Sequence, residues 1–470
     1  MCLSTYKLDP AYYVSAAQLS FDAALLHSRA RLELVSDPAM FDMIDSGIRG
    51  GISMISHRYA RANNPQVAGY EESKPTTWIK GLDANNLYGW AMSHPLPIAQ
   101  FEWVAQDEFE KIDWLGQTDD QDRGYIVSVD LQYPKELHDL HNDYPLAPER
   151  MRVKEEWLSD TAINIRAQYS FNRGDGSSKL IPNLLDKKEY VLHYRTLKFY
   201  LEHGLKLIKV HKAIRFFQSP WLKGYIELNQ NLRAKATSAF EMDFFKLMNN
   251  AVFGKTCENQ KRRTNIGLIL DAQQLLSYVA KPNFMAFKIF DENLVAIEKQ
   301  KTQVQINRPF YAGFTVLELA KLHMYRFHYD YIKRKYPDAK LLFTDTDSLY
   351  YHLATKDLEE ELFKDKEQFD YSDYEKTGKY FDPTNRNVIG KFKCETNGNP
   401  IVEFVGLRPK MYSYLYQEKA DPSSVIKEKH RVKGISAAAS RSLKHFDYKD
   451  QLEHPHENYL TNKRLGSKLH

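Results

Sequence analysis

The sequence predicts an α+β protein, on three observations. Residues 184–202, 221–256 and 312–336 read as helices. Short runs rich in β-branched and aromatic residues, at 78–82, 125–131, 205–210 and 341–351, read as strands. The length of 470 residues is too great for one small core and implies two or more domains or subdomains.

In chain order, Asp9-Pro10 starts a helix, a cap followed by a first-turn proline, which carries Ala16, Ala17, Leu19, Ala23 and Leu26. Asp37-Pro38 starts another that ends near Gly47. Ile48-Arg49-Gly50-Gly51 is a loop, and residues 60–76 are polar and proline-bearing. The strand at 78–82 delivers Asp83, and residues 171–178 (FNRGDGSS) form a loop. The region 221–256 is one long helical stretch with room for a single break. Residues 297–308 are polar and exposed, and the helix at 312–336 leads into a hairpin at 341–351. There is no internal repeat and no low-complexity tract.

The composition, 43% hydrophobic and 27% charged, is that of a soluble globular protein. Cys2, Cys257 and Cys394 share no metal-ligand spacing and read as free thiols of a reducing, intracellular compartment. The start, MCLSTYKLDPAYY, is no signal peptide, and no apolar run is long enough for a bilayer, so no membrane partner is expected. The net charge of +4 says little about nucleic acid. Its distribution says more: Lys255, Lys261, Arg262 and Arg263 cluster, as do Lys427, Lys429, Arg431 and Lys433.

Three segments carry the chemistry. Phe343-Thr344-Asp345-Thr346-Asp347-Ser348 sets two carboxylates one residue apart at the tip of a hairpin, where a divalent cation would offset their repulsion. Gly81-Leu82-Asp83-Ala84-Asn85-Asn86-Leu87-Tyr88 supplies a third acid at a strand end. A metal could be held there by the Asp83 carboxylate and the Ala84 carbonyl, and the amides of residues 85–88 would face a triphosphate. In Phe245-Lys246-Leu247-Met248-Asn249-Asn250-Ala251-Val252-Phe253-Gly254-Lys255, helical spacing puts Lys246, Asn250 and Phe253 or Gly254 on one face. Lys246 suits a phosphate and Phe253 a base, while Gly254 permits close backbone approach. On a continuous helix Lys235 falls near the face of Lys246 and Arg233 nearly opposite, which makes Lys235 the second phosphate ligand. Taken singly, each segment also reads as an ordinary turn or an amphipathic helix.

In this order the segments resemble motifs of the family B DNA polymerases. Asp83-x-x-Asn86-Leu87-Tyr88 is similar to that family's Asp-x-x-Ser-Leu-Tyr, Lys246-x-x-x-Asn250-x-x-Phe253-Gly254 to its second motif, and Phe343-Thr-Asp345-Thr-Asp347-Ser to its Tyr-x-Asp-Thr-Asp-Ser. Ile48-Arg49-Gly50-Gly51 resembles the Tyr-x-Gly-Gly loop, and Lys410-Met411-Tyr412, after Arg408, resembles the Lys-x-Tyr motif, with Lys433 beyond it. The long stretches 95–220 and 265–310 between motifs are most similar to the protein-primed branch of viruses, linear plasmids and transposons.

The resemblance implies a right-hand architecture with an antiparallel palm sheet, helical fingers and a short thumb. Its parts would be residues 1–47, an N-terminal helical remnant; 48–220, first palm part with an insertion; 221–264, fingers; 265–404, second palm part with the catalytic hairpin; and 405–470, partial thumb. It implies template-directed DNA synthesis with two Mg²⁺ ions, or Mn²⁺, held by Asp83, Ala84, Asp347 and, as an auxiliary, Asp345. Lys246, Lys235, Asn250, Leu87 and Tyr88 would serve the dNTP, Tyr88 by excluding a 2′-hydroxyl. Gly50, Gly51, Arg408, Lys410, Tyr412 and Lys433 would serve primer-template DNA, through contacts without sequence preference. A terminal protein primer is a further partner of the protein-primed branch, and the nucleus or the site of element replication would be the setting.

The sequence also departs from the family. About fifty residues precede the Gly-Gly loop and contain no Asp-x-Glu, so a chain without a 3′–5′ exonuclease domain is expected. Asn86, Gly89-Trp90, Ala251 and Phe253 stand where Ser, Pro-Ser, Ser and Tyr are usual, and the tail after Tyr412 is short for a thumb. A catalytically inactive DNA-binding remnant is the alternative, and a metal-dependent nuclease a more distant one. His138 and His141 could be half of a zinc site, but no other pair completes it, so a structural role is expected.

Overall fold

The computed structural model describes residues 1–168, 178–260, 264–301, 303, 305–418 and 423–456. The loop at 171–178, save its last residue, and the cations Lys261, Arg262 and Arg263 lie outside these. The chain is a mixed α and β structure with antiparallel sheets. Among the described residues the largest sheet has ten strands. Its main path runs Ser53–Ile55, Lys340–Asp345, Ser348–Ala354, Thr77–Ala84, Ile401–Arg408, Met411–Gln417 and Ile426–Val432. The free edge of Thr77–Ala84 is shared end to end: Phe392–Cys394 pairs beside Asp83, and Ile401 pairs with Ile79. A second sheet is ordered Leu96–Trp103, Lys206–Ser219, Arg123–Gln132 and Lys187–His193. A third joins Asn265–Ile269, Leu294–Lys299 and Phe284–Asp291.

The two larger sheets are organised around one helix, Phe310–Arg326, in which all residues but His323 and Arg326 are buried. A helix apolar on every side is the sign of a central position. Its two buried charges, Glu318 and Lys321, neutralise each other at 3.2 Å, and Lys321 also donates to the Arg49 carbonyl (3.0 Å). Close packing is required at Gly313, where a Cβ would stand 2.3 Å from Cys257 Sγ. The helix continues as a wider π-helical turn, Phe327–Ile332, and ends at Lys335.

Several sequence expectations are corrected. The stretch 184–202 is a strand, Lys187–His193, followed by a helix, Tyr194–Glu202. Val191 and Leu192 face a waiting neighbour, Arg123–Gln132, and pairing overrides helical periodicity. Asp9 caps only a 3₁₀ turn, Pro10–Tyr12; the helix proper, Ala16–Ser28, is capped by Ser15. The strand at 205–210 extends over Lys206–Ser219. Within 297–308, Ile297 is fully buried, as part of the third sheet. Other expectations hold: the helical 221–256 region is broken once, into Lys223–Lys235 and Ala239–Thr256, and Ser238 caps the second. His141 has the expected structural role, a buried ring bonded to the Tyr133 hydroxyl (2.8 Å) and packed on Tyr329.

Gly81 sits mid-strand, opposite Tyr350, and a Cβ there would meet the Tyr350 ring at 2.5 Å. Gly81→Ala is expected to destabilise the protein by ~1–3 kcal/mol, the usual effect of overpacking. Denaturant unfolding would show this as a lower midpoint at unchanged slope.

Candidate active site

Register brings the acids together. Ser348 pairs with Asp83, so Asp347 lies beside Asp83 across the strand ends, and the Ala84 amide donates to the Asp347 carbonyl (2.7 Å). Between the two hairpin acids Thr346 takes a left-handed conformation, φ 68°, rare for a β-branched residue. Two features hold it there. The Thr346 amide donates to the Ile52 carbonyl (2.7 Å), and Gly51 leaves the space its side chain fills: a Cβ on Gly51 would lie 2.5 Å from Thr346 Cγ2. Gly51 thus serves a close approach inside the protein. Around Gly50 and Gly254 there is open space.

The Gly-Gly loop is itself pinned by Arg49. This buried guanidinium donates to the carbonyls of Val191 (2.7 Å) and Gly47 (3.3 Å) and lies 3.8 Å over the Tyr190 ring. Arg49 therefore ties the second sheet to the turn that carries Asp345 and Asp347.

The acids are electrostatically strained. Burial, then the neighbouring Asp347 and Glu395, push the Asp83 carboxyl up to about 8, against the opposing charges of Lys246 and Lys393. Burial also raises Asp347, with Asp345 and Glu395 adding to the shift. Asp345 is turned onto Lys410, whose ammonium lies 2.5 Å from its carboxylate. Among the described residues no three His, Cys, Asp or Glu side chains stand close enough to share one ion. What faces inward is the pair Asp83 and Asp347, hard oxygen donors short of positive charge, a set that fits Mg²⁺.

The Ala239–Thr256 helix borders this pair. Lys246 is exposed and its charge acts on Asp83. Phe253 stacks on Tyr88, with ring centroids 4.3 Å apart and planes at 18°. Asn250 is exposed, while its neighbour Asn249 is buried and bonded to Asn229. Lys235 ends the preceding helix, exposed. The helix ends there and a second one starts after Ser238, so Lys235 and Lys246 share no continuous helical face. Leu87 points into the core, leaving only its backbone for a ligand.

On the far side, Lys410 has φ 62° in the turn between Ile401–Arg408 and Met411–Gln417. It lines an open cleft of about 220 Å³ with Asp345, Tyr412, Arg431, Val432 and Lys433. Tyr412 is only 9% exposed and its ring packs on Phe343 (4.4 Å). Arg408 is exposed next to this turn.

Sequence reading missed Glu395 and Lys393. Lys393 pairs with Asp83 across the sheet and is held by Asp373 (2.5 Å), and Glu395 donates its amide to the Gly81 carbonyl (3.0 Å). Both come from a polar stretch without a motif, and only strand pairing reveals them. The departures at Asn86, Gly89 and Trp90 find partners as well. Asn86, at φ 43°, caps the Leu87–Met92 helix and fills the space a side chain on Gly89 would need. The Trp90 ring occupies the site of a Cβ on Gly390, whose φ is 76°.

The Asp83 shift fixes a sign. A carboxyl raised in the folded state gives stability that is full below its unfolded value, near 4, and is lost as pH rises through about 8. The metal-free protein is therefore expected to melt at falling temperature between pH 5 and 8. Asp83→Asn should flatten that slope, and added Mg²⁺ should raise the melting temperature more at pH 8 than at pH 5.

Neither a protein-family model nor a curated protein matches this sequence. Solved structures do. Phi29 DNA polymerase complexed with primer-template DNA, a post-translocation binary complex, superposes with a TM-score of 0.56 at 13% identity, covering 95% of this chain and 64% of that one. Its orthorhombic crystal form gives 0.54 at 15% identity, covering 95% and 65%. The ternary complex with incoming nucleotide substrates gives 0.52 at 13% identity, covering 93% and 63%. The chain thus spans just under two thirds of the polymerase it matches, and what the likeness establishes is a shared fold.

Proposed function

We propose that the chain is the core of a template-directed DNA polymerase, which adds deoxynucleotides to a primer 3′-hydroxyl during replication of a virus-like or transposon-like element. The observation that carries this reading is the meeting of Asp83 and Asp347 at one pair of strand ends, with Lys246 acting on Asp83. The fold shared with phi29 DNA polymerase supports it. The ten-stranded sheet up to residue 404 takes the part of the palm, the helices Lys223–Lys235 and Ala239–Thr256 that of the fingers, and the segment from residue 405, whose strands continue that sheet, that of the thumb.

Asp83 and Asp347, with the Ala84 carbonyl and Asp345 in support, would hold Mg²⁺, which when bound supplies acidification of the primer hydroxyl and neutralisation of the leaving pyrophosphate. Lys246 attracts the triphosphate as a point charge. Tyr88, braced by Phe253, lies under the sugar and fills the space of a 2′-hydroxyl. Lys410, Arg431 and Lys433 line the cleft beside Asp345 and suit a primer backbone. Lys410 exchanges its Asp345 partner for a phosphate when the primer arrives. The phi29 structures hold primer-template DNA and incoming nucleotides, which suggests the same partners here; a terminal protein would join them in protein-primed initiation.

Primer extension with purified protein, Mg²⁺ and dNTPs tests the reading. Asp347→Asn should abolish extension while leaving DNA affinity within about threefold. Lys246→Ala should lower kcat/KM for dNTPs by roughly two orders of magnitude, the scale of losing one preorganised charge. DNA binding by the unaltered protein without any extension would overturn the catalytic reading in favour of an inactive remnant. Degradation of DNA without dNTPs, unaffected by Lys246→Ala, would point to a nuclease.

A further inference from the structure

The backbone that carries Asp83 is clamped from a part of the chain with no motif. Asp370 lies at the end of the short strand Phe369–Asp370 and is 1% exposed. Its carboxylate is filled by donors: Asn85 Nδ2 at 2.8 Å and the Asn387 amide at 2.8 Å on one oxygen, the Ser372 amide at 3.0 Å on the other. Asn85 is held by its backbone too. Its amide donates to the Lys391 carbonyl (2.9 Å), and its carbonyl accepts from the Gly390 amide (2.8 Å). Residues 390–394 therefore run alongside 82–85, and Phe392 pairs with Ala84 and Lys393 with Asp83. Trp90, seated over Gly390 and 4.1 Å from the His323 ring, closes the clamp from the helix side.

We propose that Asp370 is a positioning residue for the incoming nucleotide. It holds Asn85, and through Asn85 the position of the Asp83 carboxylate and the Ala84 carbonyl against Asp347. A buried carboxylate with three donors, one of them a side chain next to Ala84, does more than close its own turn. Two backbone donors would have sufficed for that, and the third bond spans 285 residues of chain to reach Asn85. Removing the carboxylate leaves the Asn85 amide group and two backbone N–H groups without an acceptor. Asn85 then has reason to rotate, and the Asp83–Ala84 backbone loses its outer support. A displacement of about 1 Å at such a site is enough to cost orders of magnitude in rate. The inference rests on the polymerase reading, because it is the nucleotide that Asp83 and Ala84 would meet.

The test compares Asp370→Ala, Asp370→Asn and Lys366→Ala with the unaltered protein. Lys366 belongs to the same region and pairs with Asp382 (2.7 Å) at the surface, away from Asn85. Asp370→Ala is expected to raise the dNTP KM tenfold or more, to raise the Mg²⁺ concentration for half-maximal rate, and to leave primer-template affinity within threefold. Asp370→Asn, which keeps one acceptor oxygen, should fall between, and Lys366→Ala should match the unaltered protein. Amide hydrogen exchange of the free protein should quicken at residues 83–89 in Asp370→Ala and stay unchanged at 348–354. An unaltered protein that extends primers, beside an Asp370→Ala variant with a dNTP KM within twofold of it, would overturn the proposal. So would a KM rise accompanied by equal loss of DNA binding and faster exchange across the whole sheet. If the unaltered protein extends no primer, the polymerase reading fails, and the exchange pattern alone decides whether Asp370 holds the Asp83 turn.

Discussion

Asp83 and Asp347 stand side by side at the ends of antiparallel neighbours, largely withdrawn from water, with Glu395 coupled to both. Like charges in that position repel each other and lose hydration, so the fold must hold them in place against their own preference. It does so with backbone. The Ala84 amide is bonded to the Asp347 carbonyl, Thr346 is bonded to Ile52, and Asn85 is bonded on both sides to the 390–391 segment. None of these bonds neutralises a carboxylate. They fix its position and leave its oxygens facing where a cation would bind. The lysines close to the pair, Lys246 and Lys393, come from other elements and reduce the repulsion without removing it.

The same constraint explains the glycines and the unusual side chains around the site. Four of the larger or unexpected residues near the site have a glycine under them: Gly51 under Thr346, Gly89 under Asn86, Gly390 under Trp90 and Gly81 under Tyr350. Each pair is a local solution in volume. Asn86 and Trp90 therefore do not loosen the turn that follows Asp83; their space is already provided. The Asn86–Gly89 pair also starts a helix of only six residues, enough to turn the chain after the strand without extending it past the acids.

How much of this the sequence discloses depends on the range of the interaction. The Asp345–Asp347 hairpin and the helix bearing Lys246 and Phe253 are written in adjacent residues, and both are legible. The strand that ends in Asp83 is legible too, but not that its partner in space is Ser348, since register is a property of two segments. The placing of Lys235 beside Lys246 requires one helical period to run through residues 236–238, where Ser238 caps a new helix instead. The 187–193 strand reads as helix in the sequence because its pairing partner lies elsewhere in the chain. Glu395 and Asp370 show no signal at all. Each is one acid in a polar stretch, and only the closing of the sheet edge against Thr77–Ala84 gives either of them a neighbour.

The cost of the site bears on the choice between an enzyme and an inactive remnant. A carboxyl pushed up to about 8 by burial and by two other acids costs the folded protein stability as pH rises toward that value. Replacing any one of the three by an amide would relieve repulsion with little change in volume, and most proteins have such stabilising substitutions within easy reach. A chain that no longer used the site would lie one conservative change from relief at Asp83, at Asp347 or at Glu395. This chain has made none of them. It also keeps Lys246 exposed beside the pair and Tyr88 stacked on Phe253, arrangements that serve a bound nucleotide better than a closed core. The Asp345–Lys410 ion pair fits the same view. It parks one acid and one cation on each other at the rim of an open cleft, where both can be released by a partner with more charge to offer. Strain at the centre and exchangeable pairing at the rim are what the proposed function, with its metal-bound, polyanionic substrate, calls for.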